Sequence, residues 1–265
     1  MQLTHARILL TGASGGLGYE LARQLSGAGA ALLLAGREPA KLAELRALLT
    51  AQGGEVTTIC ADLTRAEGVA VIARAAQDFR VNVLVNNAGA SAFGLFENQE
   101  WPTIERVLAT SLEAPIHLTH ALVPWLRAQP QAAIVNIGSM FGSLPFPGFA
   151  AYSAAKAGLR AFSQALRREL SDSLVSVVHI SPRAIDTPMN SGAVNALNAA
   201  LDTHSDQPSE VAREIVAALA RNEVERHIGF PERLFAWVNG LAPQVIDRAL
   251  AGKLPTIKQH AARPH

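Results

Sequence analysis

Three side chains in the middle of the chain have the types and spacing for acid–base chemistry: Ser139, Tyr152 and Lys156. Tyr152 and Lys156 lie four residues apart, so on a helix they share one face. A phenol, with an ordinary pKa of about 10, is a poor acid or base at neutral pH. An ammonium beside it stabilises the phenolate and lowers that pKa. A hydroxyl such as that of Ser139 can hold a substrate oxygen next to the phenol. Together the three could give a proton to a carbonyl oxygen or take one from an alcohol. Taken alone, a Tyr and a Lys at this spacing describe many ordinary helix surfaces, so the surrounding elements must decide.

The stretch that carries them, residues 132–156, reads AAIVNIGSMFGSLPFPGFAAYSAAK. Ala133 to Ile137 is a short, nearly continuous apolar run, as expected of a strand buried on both faces. It breaks at Gly138, crosses a Gly/Pro-rich loop, and resumes near Ala150 as an alanine-rich helix. Toward the N-terminus, residues 6–11 predict a strand, TGASGGLG (11–18) a tight turn, and YELARQLSGAG a helix. Strand, glycine-rich turn and helix in that order suit a dinucleotide. Glycines let the backbone approach a pyrophosphate, and the helix N-terminus offers free N–H groups.

A second strand, 31–35, ends at Gly36-Arg37, where such a unit meets the adenosine ribose. An acidic residue there would bind the 2′-hydroxyl of NAD. Arg37 instead suits the 2′-phosphate of NADP, against the plainer role of a solvated arginine opening the next helix. A third strand, 55–60, precedes Asp62, which could cap the following helix or contact an adenine ring. A fourth, 81–86, runs into Asn86-Asn87-Ala88-Gly89, whose asparagines can knit strands together and touch a ribose.

The 265 residues fit one large α/β domain or two small ones, and 49% hydrophobic against 17% charged residues predicts a large core. A net charge of +1 gives no argument for nucleic acid. The single cysteine, Cys60, excludes an internal disulfide and suits a reducing, cytoplasmic setting. No convincing signal peptide, and no apolar run long enough to span a membrane, is expected. His117 and His120 lie three apart but have no evident third ligand, so no metal site is expected.

TGASGGLG, NNAG, Ser139 and Tyr152-x-x-x-Lys156, in this order, resemble the short-chain dehydrogenase/reductase family. The resemblance implies that Tyr152 is the acid/base, that Lys156 binds the nicotinamide ribose and lowers the tyrosine pKa, and that Ser139 positions the substrate oxygen. It places Gly12, Ser14, Gly16, Leu17 and Gly18 around the pyrophosphate, Arg37 as the selector of NADP(H), Asp62 and Leu63 beside the adenine, and Asn87 and Gly89 along the cofactor. Ile185 and Thr187 match positions that contact the nicotinamide carboxamide.

Three departures accompany it. Ser111 stands, in a helical stretch expected over about 98–128, where the family usually has an asparagine that holds a water in a proton relay. Arg183 follows Pro182 where Gly is typical, and it should be strained if that site needs positive φ. It could contact a substrate or cofactor phosphate, or point to solvent. Finally, about 35 residues follow HIGF (227–230), which is expected to be the last strand. The segment 188–204 suggests a lid whose Val194, Leu197 and Leu201 face either an apolar substrate or the core. In the extension, Leu234, Phe235, Val238, Leu241, Val245, Ile246, Ala249 and Leu250 keep a helical apolar stripe. Pro243 should kink or split it, and Lys253, Lys258 and Arg263 make its end basic. Residues 231–258 could lie on a membrane surface, roof the pocket or form a dimer interface.

The expected architecture is α/β: a doubly wound Rossmann fold over 1–230, with a parallel sheet of about seven strands, and a helical C-terminal extension over 231–265. The expected function is NADP(H)-dependent interconversion of a carbonyl and an alcohol on an apolar small molecule, by a homodimer. The alternatives are a cofactor-binding sensor or scaffold without turnover, suggested by Ser111 and Arg183, and a membrane-surface protein that works through its tail.

Overall fold

The computed structural model describes residues 1–262, so Arg263 lies outside the described residues. Seven strands, β1 (Arg7–Thr11), β2 (Ala31–Gly36), β3 (Val56–Cys60), β4 (Val83–Asn86), β5 (Ala132–Ile137), β6 (Val175–Pro182) and β7 (Glu225–Ile228), form one parallel sheet in the order β3-β2-β1-β4-β5-β6-β7. The order reverses between β1 and β4. Crevices that bind ligands in doubly wound sheets open at that point, outside the carboxyl ends of the strands.

Helices cover both faces. On one, α1 (Gly16–Gly27), α2 (Pro39–Ala51) and α8 (Pro208–Ala220) pack against Ile8, Leu10, Leu32 and Leu34. On the other, α3 (Ala66–Asp78), α5 (Ala114–Arg127) and α6 (Ala150–Glu169) pack against Leu9, Leu33, Leu84 and Ile134. Alternate residues of one strand enter different cores, and this is why the strands read as unbroken apolar runs. The last strand covers 225–228 and not 227–230. Its pairing with β6 ends at Pro182–Ile228, and Gly229 turns the chain away at φ +114.

The helix expected over 98–128 is three pieces. α4 (Trp101–Leu108) runs into a π-helical turn, Ala109–Glu113, and then into α5. The segment expected to be a lid carries α7 (Gly192–Ala200), started by the Ser191 hydroxyl, which accepts the Val194 N–H. The extension comprises α9 (Glu232–Leu241), α10 (Pro243–Ala251) and α11 (Leu254–Ala261). The helix splits at Ala242, one residue before Pro243, because proline cannot supply the N–H that would continue it. α11 returns to pack on α7 and buries Ile257 in an aromatic cluster with Phe93 and Phe149.

Candidate active site

The carboxyl ends of β1, β4 and β5 converge on one crevice. At β1, Gly12 adopts φ +65, and a Cβ there would lie 2.8 Å from the Cα of Ala88. The turn therefore presses on the β4 loop, which only glycine permits at this φ. Thr11 locks the two together. Its hydroxyl donates to the Val85 carbonyl at 3.2 Å and accepts the N–H groups of Asn87 and Ala88, both at 3.0 Å. The Asn87 amide donates back to the carbonyls of Thr11 and Gly12, at 2.9 and 3.2 Å. Asn87 thus shapes the turn as well as lining it. Thr11 was overlooked in the sequence, although it is the first letter of the glycine motif.

No side chain caps α1, so its leading N–H groups face the crevice unsatisfied by a cap. That is the donor set an anionic pyrophosphate requires, and the site fits a nicotinamide dinucleotide. Thr187 closes the other side: a Cβ on Gly16 would stand 2.9 Å from its methyl group. Ser14 borders Gly36, at 3.3 Å from a Cβ built there, beside the exposed Arg37. Asp62 does not cap α3 directly. Its carboxylate accepts the N–H and hydroxyl of Thr64 at 3.0 and 2.8 Å, and these bonds, helped by Arg37 and Arg65, hold its pKa below the ordinary value. Leu63 is partly buried beside it, and the Ile185 carbonyl accepts the Asn190 amide at 2.8 Å.

Ser139, Tyr152 and Lys156 come together as expected. Ser139 lies two residues past β5, its hydroxyl accepts the Phe141 N–H at 3.2 Å, and it stands close enough to the Tyr152 phenol to lower that group's pKa. Lys156 is buried on α6, its ammonium donates to the Ile137 carbonyl at 2.8 Å, and it lies 5.8 Å from the centre of the Tyr152 ring. Burial lowers the Lys156 pKa to about 8. The tyrosine departs from expectation. Burial, the larger effect, raises its pKa, and the Ser139 bond offsets this in part.

Ser111 sits in the π-helical turn, a feature frequent at functional sites. Its hydroxyl donates to the Ala90 carbonyl at 2.8 Å and accepts the Ala90 N–H at 2.9 Å. The single donor is therefore spent on the loop, and Ser111 holds the backbone beside Gly89 instead of offering a proton to a relay. A Cβ on Gly89 would lie 3.5 Å from the Ser111 oxygen and 3.7 Å from the Lys156 nitrogen, so all three meet at one point.

Arg183 takes neither role expected of it. Its guanidinium forks onto Asp206, at 2.8 and 2.9 Å, and reaches Glu232 at 3.3 Å. The positive φ lies across the strand pair at Gly229, against which the arginine stem packs. Over Tyr152 the walls are aromatic: Phe141 and Phe149 stand 6.4 Å from its ring, and Phe146, Val194, Leu197 and Ile257 complete the cluster. The density of phenylalanine in the loop 138–149 was the sequence signal for this wall, and it was missed. The Ser143 hydroxyl meets His227 at 3.1 Å and the Ser143 carbonyl accepts Asn239 at 3.0 Å, which anchors the loop to β7 and α9. Among the described residues, no group of three or more His, Cys, Asp or Glu gathers at one point.

The chain is similar to known proteins. A family profile described as short chain dehydrogenase matches residues 6–198. Dehydrogenase/reductase SDR family member 7B of Bos taurus is 33% identical, over 94% of this chain and 81% of its own length. Ketoacyl reductase HetN of a Nostoc species is 31% identical over 84% and 78%. A short-chain dehydrogenase of Streptomyces avermitilis superposes with a TM-score of 0.77 at 27% identity, covering 97% of this chain and all of that one. A short chain dehydrogenase/reductase of Burkholderia phymatum, solved in complex with NAD, has the same fold, with a TM-score of 0.84 at 21% identity over 92% and 96% of the two chains. With its parallel sheet, its glycine turn and these relatives, the chain belongs to the short-chain dehydrogenase/reductase family of oxidoreductases.

Proposed function

We propose that the protein reduces the carbonyl of an apolar small molecule with NADPH, Tyr152 acting as the acid. The observation that carries this reading is the meeting of Ser139, the Tyr152 phenol and the buried Lys156 ammonium, which lies 5.8 Å from the centre of the phenol ring, under an aromatic wall. The substrate carbonyl oxygen would accept hydrogen bonds from Ser139 and Tyr152, and the phenol proton would pass to it as charge develops. A bound nicotinamide dinucleotide supplies the hydride. Gly12, Ser14, Gly16, Leu17 and Gly18 would hold its pyrophosphate, Asn87, Gly89 and Lys156 its nicotinamide ribose, Asp62 and Leu63 its adenine, and Ile185 and Thr187 its carboxamide.

Arg37 supports the choice of NADPH, since it is exposed beside Ser14 and no carboxylate precedes it on the turn. The exposed, free Cys60 fits a cytoplasmic protein, and the altered C-terminus favours a homodimer over a tetramer. The reading of a binding protein without turnover loses one of its two supports, because Arg183 is occupied by ion pairs away from the catalytic residues.

The test is Tyr152→Phe on a panel of apolar ketones and aldehydes, with NADPH binding followed by fluorescence. Turnover should fall at least about a thousandfold with cofactor binding retained. Undiminished turnover would overturn the role of Tyr152. NADPH binding with no reduction of any panel member by the wild type would favour a sensor.

A further inference from the structure

We infer that α9 and the start of α10 form a docking face for an anionic lipid surface, a reading independent of the chemistry proposed above. α9 is inside out. Its polar side chains face the body: Glu232 pairs with Arg183 at 3.3 Å, and the Asn239 amide donates to the Ser143 carbonyl at 3.0 Å. Its apolar side chains face away. Leu234, Phe235, Trp237 and Leu241 are exposed, the last two at 65% and 68%, with Phe230 at 70% just before the helix and Val245 just after it. On a helical projection Leu234, Trp237 and Leu241 share one side, opposite Asn239 and Glu232, and Phe235 lies at the flank next to Asn239. Soluble surfaces rarely gather this many large apolar groups unless something covers them.

The charge of α9 to α11 identifies the cover. Arg233, Arg248, Lys253 and Lys258 are exposed, and no ion pair joins any of them to a carboxylate among the described residues. Arg233 borders Trp237 on the helical projection, and Arg248 points opposite the buried Ile246 of α10. The acidic residues of α9 to α11 are Glu232, already committed to Arg183, and Asp247. A second copy docked on this face would bring the same set of cations up against it, and like charges at an interface disfavour that pairing. A bilayer rich in acidic headgroups takes both features, with Trp237 at the headgroup level and the cations among the phosphates. A long aromatic–aliphatic face with a basic rim is the composition of helices that lie in that plane.

Ile246 and Ile257 tie α10 and α11 to the body, so the extension presents this face without detaching. The experiment is co-sedimentation of the full chain with phosphatidylcholine vesicles, with and without phosphatidylglycerol. Two variants accompany it, Trp237→Glu with Leu241→Glu, and Arg233→Glu with Arg248→Glu and Lys253→Glu, each checked by circular dichroism and by size-exclusion chromatography. The wild type should pellet with the anionic vesicles about tenfold more than with phosphatidylcholine alone, and high salt and both variants should reduce this. A wild type that stays in the supernatant with both vesicles overturns the proposal. So does equal pelleting of the apolar variant, or a wild-type dimer that the apolar variant disperses without vesicles playing any part.

Discussion

Lys156 is the side chain whose chemistry is most constrained by its surroundings. Its ammonium is buried against the Ile137 carbonyl, and burial lowers its pKa to about 8, so it is charged below that pH and loses its charge as pH rises through it. Tyr152 moves the other way and stays protonated throughout this window. A fall in reductive turnover on the alkaline side therefore belongs to Lys156. About one unit above its pKa roughly a tenth of the molecules keep the charge, so turnover near pH 9 should be about tenfold below its plateau. A pH–rate profile checks this. Lys156→Met should be slow and flat over the same range, and a wild-type profile that stays level through pH 9 would detach the charge from the reaction. Arg37 invites a second measurement. If its guanidinium holds a phosphate, Arg37→Asp should weaken NADPH binding by about ten- to a hundredfold and improve NADH, as expected when a charged hydrogen-bond partner is removed. Titration of both cofactors against both proteins separates this from a solvated arginine, which would leave NADPH binding unchanged.

At the scale of the elements, what was legible depended on the distance between partners. Ser139, Tyr152 and Lys156 sit within one strand, loop and helix, so their meeting could be read from a single stretch. Ser111 and Arg183 could not be read that way. The partners that decide their roles, Ala90, Asp206 and Glu232, are 21, 23 and 49 residues away in the chain. The Asp206 position is itself set by backbone bonds: its N–H donates to the Ala184 carbonyl and its carbonyl accepts the Asp186 N–H, at 2.9 and 3.0 Å. Arg183 thus ties the end of β6 to both ends of the lid segment and to the first turn of α9. The pair is largely buried, with side-chain exposures of 14% and 12%. Removing one partner of such a pair leaves the other charge without compensation, at a cost of about 3 kcal/mol. Arg183→Met should lower Tm and make residues 184–206 the first site of proteolysis, and Arg183→Met with Asp206→Leu should recover most of the loss. A single variant as stable and as protease-resistant as the wild type would show that the clamp contributes nothing. Ile257 works on the same lid from above, and Ile257→Ala should cost about 2 to 4 kcal/mol for a side chain so completely enclosed.

Across the whole molecule, the continuous apolar runs announced a parallel sheet with both faces covered, but not the order of its strands. What the runs conceal is the polar seam through the middle. Thr119, Asn86, Asn136, Ser163 and His179 form a continuous chain of hydrogen bonds, with links of 3.1, 2.8, 2.9 and 3.1 Å, crossing from β4 through β5 to β6 between α5 and α6. A buried network of this kind holds strands in register only while every member keeps the protonation state its partners demand. His179 is the titratable member. It is fully buried, and burial pushes its pKa down to about 3. Unfolded, the same imidazole takes up a proton near its ordinary pKa of about 6.5. Between these values the unfolded chain binds more protons than the native one, so stability rises with pH across the window and is lost as pH falls. By pH 5 the loss from this one group is about 2 kcal/mol relative to neutral pH. Urea unfolding at pH 7.5 and pH 5 should therefore show a larger acid-side loss for the wild type than for His179→Asn, which can still accept from or donate to Ser163 but does not titrate. Parallel losses in the two proteins would place the acid sensitivity elsewhere, among the paired carboxylates such as Glu225 and Glu223, whose pKa values are held low by Arg160 and Arg226.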